Sequence, residues 1–279
     1  MDRQGFIDFN TRLSPENSGK ADSYARAIQI LEEVLPHQDE IDLHGQSLYE
    51  ISDVALIEDL LRLVNAEVQK MKNQQPSIFD YGKPNQRSYP QNNFCSAALK
   101  SLKKYAEYEQ ELIADEIVAR ESNPSDISSK LLVHFDITIE GEDKLSLTKQ
   151  RRGQEYFRRM ILTNYGRRCA LTGIDIPQLL LASHIIPWSD TQYKQQRLNP
   201  CNGICLSALY DKAFDKGLIT FSPDDFTVQL SSALREYEPQ EYFDRHFGCI
   251  IGRKLMLPTE YQPNREFLAY HKDKVFLGT

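Results

Sequence analysis

The chain has 279 residues, 41% of them apolar and 10% aromatic, enough to bury a sizeable core and long enough for two domains. No run approaches the ~20 apolar residues that span a bilayer, and "MDRQGFIDFN" lacks the basic-then-apolar order of a signal peptide. Five scattered cysteines, an odd number, do not read as a disulfide framework, so the expected setting is reducing and cytoplasmic, with no membrane partner.

The net charge of −7 is unevenly spread. Residues 1–150 hold 16 Lys+Arg against 26 Asp+Glu, a net of −10, whereas residues 151–279 hold 17 against 14, a net of +3. Six arginines fall between 151 and 168: Arg151, Arg152, Arg158, Arg159, Arg167 and Arg168. A basic segment of this kind either tracks phosphates or forms a solvated helix face, and charge alone does not choose.

In chain order, apolar residues at helical spacing predict helices over 20–36 and 53–71. Residues 74–93, rich in Pro, Asn, Gln and Ser, read as a loop, and 94–120 as a long helix. The first 120 residues thus form a helical domain. "ESNPSDISSK" (121–130) reads as a linker, "LLVHFDITI" (131–139) as a strand and "EGED" as a turn, so 121–149 is expected to be a linker with a strand. Helix is expected again over 154–166, with Gly166 at its C-terminal cap. A short strand over 179–186, a loop, a helix over 204–217 closed by Gly217 and a hairpin over 218–231 follow. The fold class is therefore α+β, with no internal repeat, and the second domain spans 150–279.

Asp211 and Asp215 lie four apart on one predicted helix face, where oxygen ligands suit Mg²⁺, Mn²⁺ or Ca²⁺. Alone, the pair reads more readily as an exposed face interleaved with Lys212 and Lys216. The spacing adds more: His184 at a strand end precedes Asn202 by 18 residues, and Asn202 precedes Asp211 by 9.

The residues "CALTG…LLLASHIIPW…RLNPCNGICLSALYDKAFDKGLITF" resemble the HNH endonuclease family. They look most like the branch reading roughly "HI-P-W…NG-L-L…H/D-x-x-F-D-x-G-L-I", found in restriction-type and mobile-element proteins. The resemblance covers about 150–231 and extends to the tail at 265–276. It implies a C-terminal ββα-metal nuclease domain behind the N-terminal helical one. It implies that His184 is the general base, that Asn202 orients the loop and the imidazole, and that Asp211 and Asp215 hold a divalent ion, Mg²⁺ or Mn²⁺. Ser183 stands where many members carry an Asp or His ligand, and Asp211 where they carry His; both leave the metal count open.

The resemblance further implies a metal-dependent endonuclease acting on double-stranded DNA, in a restriction or defence role. The N-terminal domain then supplies target recognition or assembly into a homodimer. A non-specific nuclease or toxin, and a binding module without activity, are the alternatives. Arg167, Arg168, Arg197 and Lys216 are the expected DNA-binding cations. Structural zinc is not expected, because Cys169, Cys201, Cys205 and Cys249 include no C-x-x-C pair. Trp188 reads as packing, Tyr210 as packing or hydrogen bonding beside the site, and His271 as structural. His37, His44 and His134 have no partner motif.

Overall fold

The computed structural model describes residues 1–16, 18–137, 144–238 and 240–278. It divides into two compact units, Met1–Ile113 and Ala114–Thr279.

The first unit is helical. It holds α1 (Arg3–Arg12), α2 (Lys20–Val34), α3 (Val54–Lys72), the short α4 (Ser88–Gln91) and the first part of α5 (Phe94–Arg120). Side-chain caps start two of these helices: Asp2 accepts from the Gly5 amide, and Asp53 from the Ala55 amide. The apolar stripes of α2, α3 and α5 bury Ile28, Leu31, Ile57, Leu60 and Leu99 completely, with Phe6 of α1 among them. The expected helices at 20–36, 53–71 and 94–120 are present. The expected loop at 74–93 is broken into short helical turns, because Ser77 caps Ile78–Tyr81 and Pro84 opens Pro84–Gln86.

The second unit begins inside α5, not after it, and its first segment departs from expectation. Residues 121–149 are not a linker with a strand: α6 (Pro124–His134) and the start of α7 (Lys144–Asn164) lie there. Asn123 caps α6 by accepting from the Ser125 amide at 2.9 Å, and Pro124 sits in its first turn. Ile127 and Leu131, four apart and fully buried, give that stretch a helical stripe. The rest of the expected strand, 138–139, lies outside the described residues, as do 140–143 of the expected turn. Helix α7 also starts earlier than 154, running through Gly153. A Cβ at Gly153 would lie 2.2 Å from Ile137 Cδ1, so glycine there serves close packing and does not mark the end of a helix.

The remaining elements build two antiparallel ribbons. β1 (Leu180–His184) pairs with β2 (Gly203–Ser207), with His184 opposite Gly203 and Ser183 opposite Ile204. Helix α8 (Ala208–Asp215) follows, then β3 (Ile219–Phe221) paired with β4 (Val228–Leu230), the hairpin expected from the sequence. The predicted helix at 204–217 is corrected: 204–207 are strand. All five β2 residues are buried, so no polar alternation marks them, and a short apolar run of this kind reads equally as helix. The short helices α9 (Ser232–Arg235) and α10 (Glu241–His246) and the C-terminal α11 (Arg265–Lys274) complete the unit. Gly166 and Gly217 take left-handed φ of 57° and 66° just past α7 and α8, as their cap positions require. Among the described residues no helix is long and apolar enough to cross a membrane.

Candidate active site

The β1–β2 ribbon is fixed to its neighbours by both polar and apolar contacts. Arg158 of α7 donates to the Leu180 carbonyl at 2.6 Å, holding the start of β1. Buried Asn202 holds the other end: its Oδ1 accepts from the Ile186 amide at 2.8 Å, and its Nδ2 donates to the Ile186 and Gln196 carbonyls. The Ile185 amide also donates to the Asn202 carbonyl at 2.9 Å. One asparagine thus closes the loop from 185 to 202 onto itself.

His184 stands where β1 meets that loop. Its ring stacks on Phe157 of α7 with centroids 4.0 Å apart, and Trp188 meets it edge-on at 5.5 Å. Nε2 donates to the Arg197 carbonyl at 2.9 Å. Because a carbonyl only accepts, the neutral ring carries its proton on Nε2, and Nδ1 is the basic nitrogen. Nδ1 makes no hydrogen bond among the described residues. Burial of the ring lowers its pKa from 6.5 to about 4, so the imidazole is neutral at pH 7. The task expected of Asn202, fixing the tautomer, falls directly to the Arg197 carbonyl; Asn202 acts one step back, through the loop.

Successive strand residues face opposite sides. Ser183, 1% exposed, therefore turns away from Phe157, and its hydroxyl donates to Asp211 Oδ1 at 2.7 Å. This bond ties β1 to α8. Asp215 follows one turn after Asp211. Partial burial of its carboxyl and, next, the charge of Asp211 raise its pKa, although the residue as a whole is exposed. The structure thus joins Ser183 to Asp211 and places Asp215 in the field of Asp211, but no hydrogen bond among the described residues links His184 to either aspartate. Nor is any group of three or more His, Cys, Asp or Glu among the described residues arranged to hold a metal.

The expected DNA-binding cations divide. Arg167 and Lys216 are exposed, Arg167 with a left-handed φ of 56°. Exposed Arg168 lies 3.6 Å from Asp175. Arg197 is engaged differently: its Nε donates to the Trp188 carbonyl at 2.8 Å and its guanidinium lies 5.2 Å above the Trp188 ring. Much of the basic run at 151–168 is likewise committed within the unit, since Arg159 makes two bonds to Asp115 and Arg151 pairs with Glu155. Tyr210 donates to the His246 carbonyl at 2.7 Å, and burial raises its pKa to about 12. A cleft of about 940 Å³ elsewhere in this unit is lined by Asp115, Tyr156, Arg159, Asn164, Cys201 and Tyr261 and by none of His184, Asp211 and Asp215.

Residues 169–222 match the family model described as HNH endonuclease. The match takes in Ser183, His184, Asn202, Asp211 and Asp215, and it supports the HNH family and a nuclease in general. No curated protein matches the chain. The HNH segment ends before β4 and begins after α7, so Phe157 lies outside it. Sequence reasoning missed Phe157, the Arg197 carbonyl and the Ser183–Asp211 bond. The bond was foreshadowed by a hydroxyl at the ligand position; a backbone acceptor leaves no trace in side-chain chemistry.

Proposed function

We propose that the second unit is a metal-dependent endonuclease that hydrolyses phosphodiester bonds of double-stranded DNA. The observation that carries this reading is the imidazole of His184: neutral, its Nε2 proton fixed by the Arg197 carbonyl, its Nδ1 left as the base, and all of it within the HNH segment. In hydrolysis Nδ1 takes the proton from a water as that water attacks phosphorus, and the 3′ oxygen departs. The Arg197 carbonyl then faces an imidazolium and stabilises it. Asn202 keeps that carbonyl in place through the Gln196 peptide.

Asp211 and Asp215 are the residues that would hold Mg²⁺ or Mn²⁺. Two carboxylates one turn apart, completed by waters and a substrate phosphate, suit a hard cation of this kind. Burial and, after it, the neighbouring charge of Asp211 raise the Asp215 carboxyl, and a cation shared by the two would offset both. When bound, the ion stabilises charge on a non-bridging phosphate oxygen and on the leaving oxygen. Ser183 acts on the site through Asp211, whose orientation its hydroxyl sets. Arg167, Arg168 and Lys216 are the cations assigned to phosphates, with Arg197 retained as a support for Trp188.

In this reading the chain belongs to the restriction-type branch and cuts in a sequence- or modification-dependent way, with the first unit serving target recognition or homodimer assembly. In that first unit Lys83 pairs with Glu33 and Arg87 with Asp80, so both cations of residues 81–90 have carboxylate partners. A second reading, a DNA-binding module without activity, is favoured by the missing His184–aspartate link. Incubation of methylated and unmethylated plasmid with Mg²⁺, Mn²⁺ and Ca²⁺ separates them. Discrete fragments support the specific enzyme and a smear the non-specific one. Intact DNA under every cation overturns the nuclease reading.

A further inference from the structure

The candidate site has two halves: the loop that follows His184, and the helix that carries Asp211 and Asp215. Neither half is closed by the HNH segment alone. Both are tied to the stretch 264–278, which lies outside it.

Four residues of that stretch make the tie: Asn264, Tyr270, His271 and Leu277. At the start of α11, the Asn264 amide donates to the Cys201 carbonyl at 3.0 Å, one residue before Asn202. In the middle, the Tyr270 hydroxyl donates to Asp190 Oδ2, while Asp190 Oδ1 accepts from the Gln192 and Tyr193 amides of the same loop. The Tyr270 ring also meets Tyr193 edge-on, with centroids 4.9 Å apart. His271, 1% exposed, stacks on Phe214 of α8 at 3.8 Å and 1°; its Nε2 donates to the Phe214 carbonyl at 3.2 Å and its Nδ1 accepts from the Thr220 hydroxyl at 2.9 Å. Past the helix, the Leu277 amide donates to the Gly217 carbonyl, and a Cβ at Gly217 would lie 2.1 Å from the Val275 carbonyl oxygen. Two adjacent residues, Tyr270 and His271, therefore reach in different directions, one to the loop of the base and one to the peptide beside Asp215.

We propose that Tyr270 and His271 are positioning residues that hold the His184 loop and the Asp211–Asp215 helix in register from a single C-terminal helix. This inference rests on the nuclease reading of the site. The Ser183–Asp211 bond joins the strand of the base to the helix of the carboxylates at one point, and α11 adds a second link by contacting both the loop beyond His184 and the far end of α8.

The test uses the full-length protein and Tyr270→Phe, which keeps the ring against Tyr193 and removes only the hydroxyl. Loss of alignment at the reacting centre is expected to lower kcat about tenfold with KM for DNA within about twofold. His271→Leu probes the other arm, with His271→Gln restoring a donor to the Phe214 carbonyl and part of the rate. Trp188, the chain's single tryptophan, sits in the loop and gives a readout independent of activity. Acrylamide quenching of its fluorescence is expected to rise in Tyr270→Phe. If the parent cuts DNA and Tyr270→Phe cuts equally fast, the proposal is overturned. If the parent cuts nothing, the nuclease reading fails, and unchanged Trp188 quenching then overturns the positioning role of Tyr270 as well.

Discussion

A Cβ at Gly203 would lie 2.7 Å from Cζ of Phe157, the ring on which His184 stacks, and 2.5 Å from Cδ1 of Ile161 one turn further along α7. The glycine after Asn202 is thus a clearance: it lets α7 press its aromatic ring under the imidazole from across the strand pair. Gly203→Ala is expected to destabilise the second unit by about 1–3 kcal/mol through overpacking and to displace Phe157 against His184. Chemical denaturation reads the first effect and cleavage rate the second. Adding Ile161→Ala, which removes the nearer clashing atoms, should recover part of the stability; if it recovers none, the clash with α7 is not the cause.

The Ser183 hydroxyl is buried against a carboxylate. Ser183→Ala should cost about 1.5–3 kcal/mol of stability, the range for a lost hydrogen bond to a charged partner. Asp211, no longer oriented, should need more divalent ion, so the half-saturating Mg²⁺ concentration for cleavage rises. An unchanged metal titration would remove Ser183 from the site.

Much of this was legible in the sequence, and the gaps have physical causes. The amphipathic helices of the first unit were readable because one face of each is solvated. The site residues stood out through the spacing of His184, Asn202 and Asp211, which follows from a two-stranded ribbon leading into a helix. Strand β2 was misread because burial on both faces erases its period. Residues 131–134 were misread because "LLVH" is apolar and β-branched at its centre, while the Asn-Pro start of α6 lay eight residues upstream, inside the supposed linker. The support beneath the imidazole depends on a backbone acceptor, the Arg197 carbonyl, and on the Phe157 ring of a separate helix, and short-range side-chain pattern does not carry those.

Two imidazoles make the second unit sensitive to acid. Burial lowers the pKa of both His184 and His271 to about 4 from an ordinary 6.5. The unfolded chain takes up these protons first, so their contribution to stability is intact above about pH 6.5 and is lost as the pH falls toward 4. Each group contributes a slope of up to about 1.4 kcal/mol per pH unit within that window. His271→Gln should flatten the dependence of the unfolding midpoint between pH 6.5 and 4 by one group's share. A slope equal to the parent's would show that His271 is already protonated in the folded protein.

The most direct measurement is single-turnover cleavage of plasmid DNA by His184→Ala beside the parent, at saturating Mg²⁺ or Mn²⁺, with thermal unfolding followed on the same samples. Loss of a general base is expected to slow the chemical step by about 10²–10⁴-fold while the unfolding transition stays cooperative. Cleavage by the alanine variant at the parent's rate would contradict the role given to the imidazole, and with it the mechanism built on the Arg197 carbonyl.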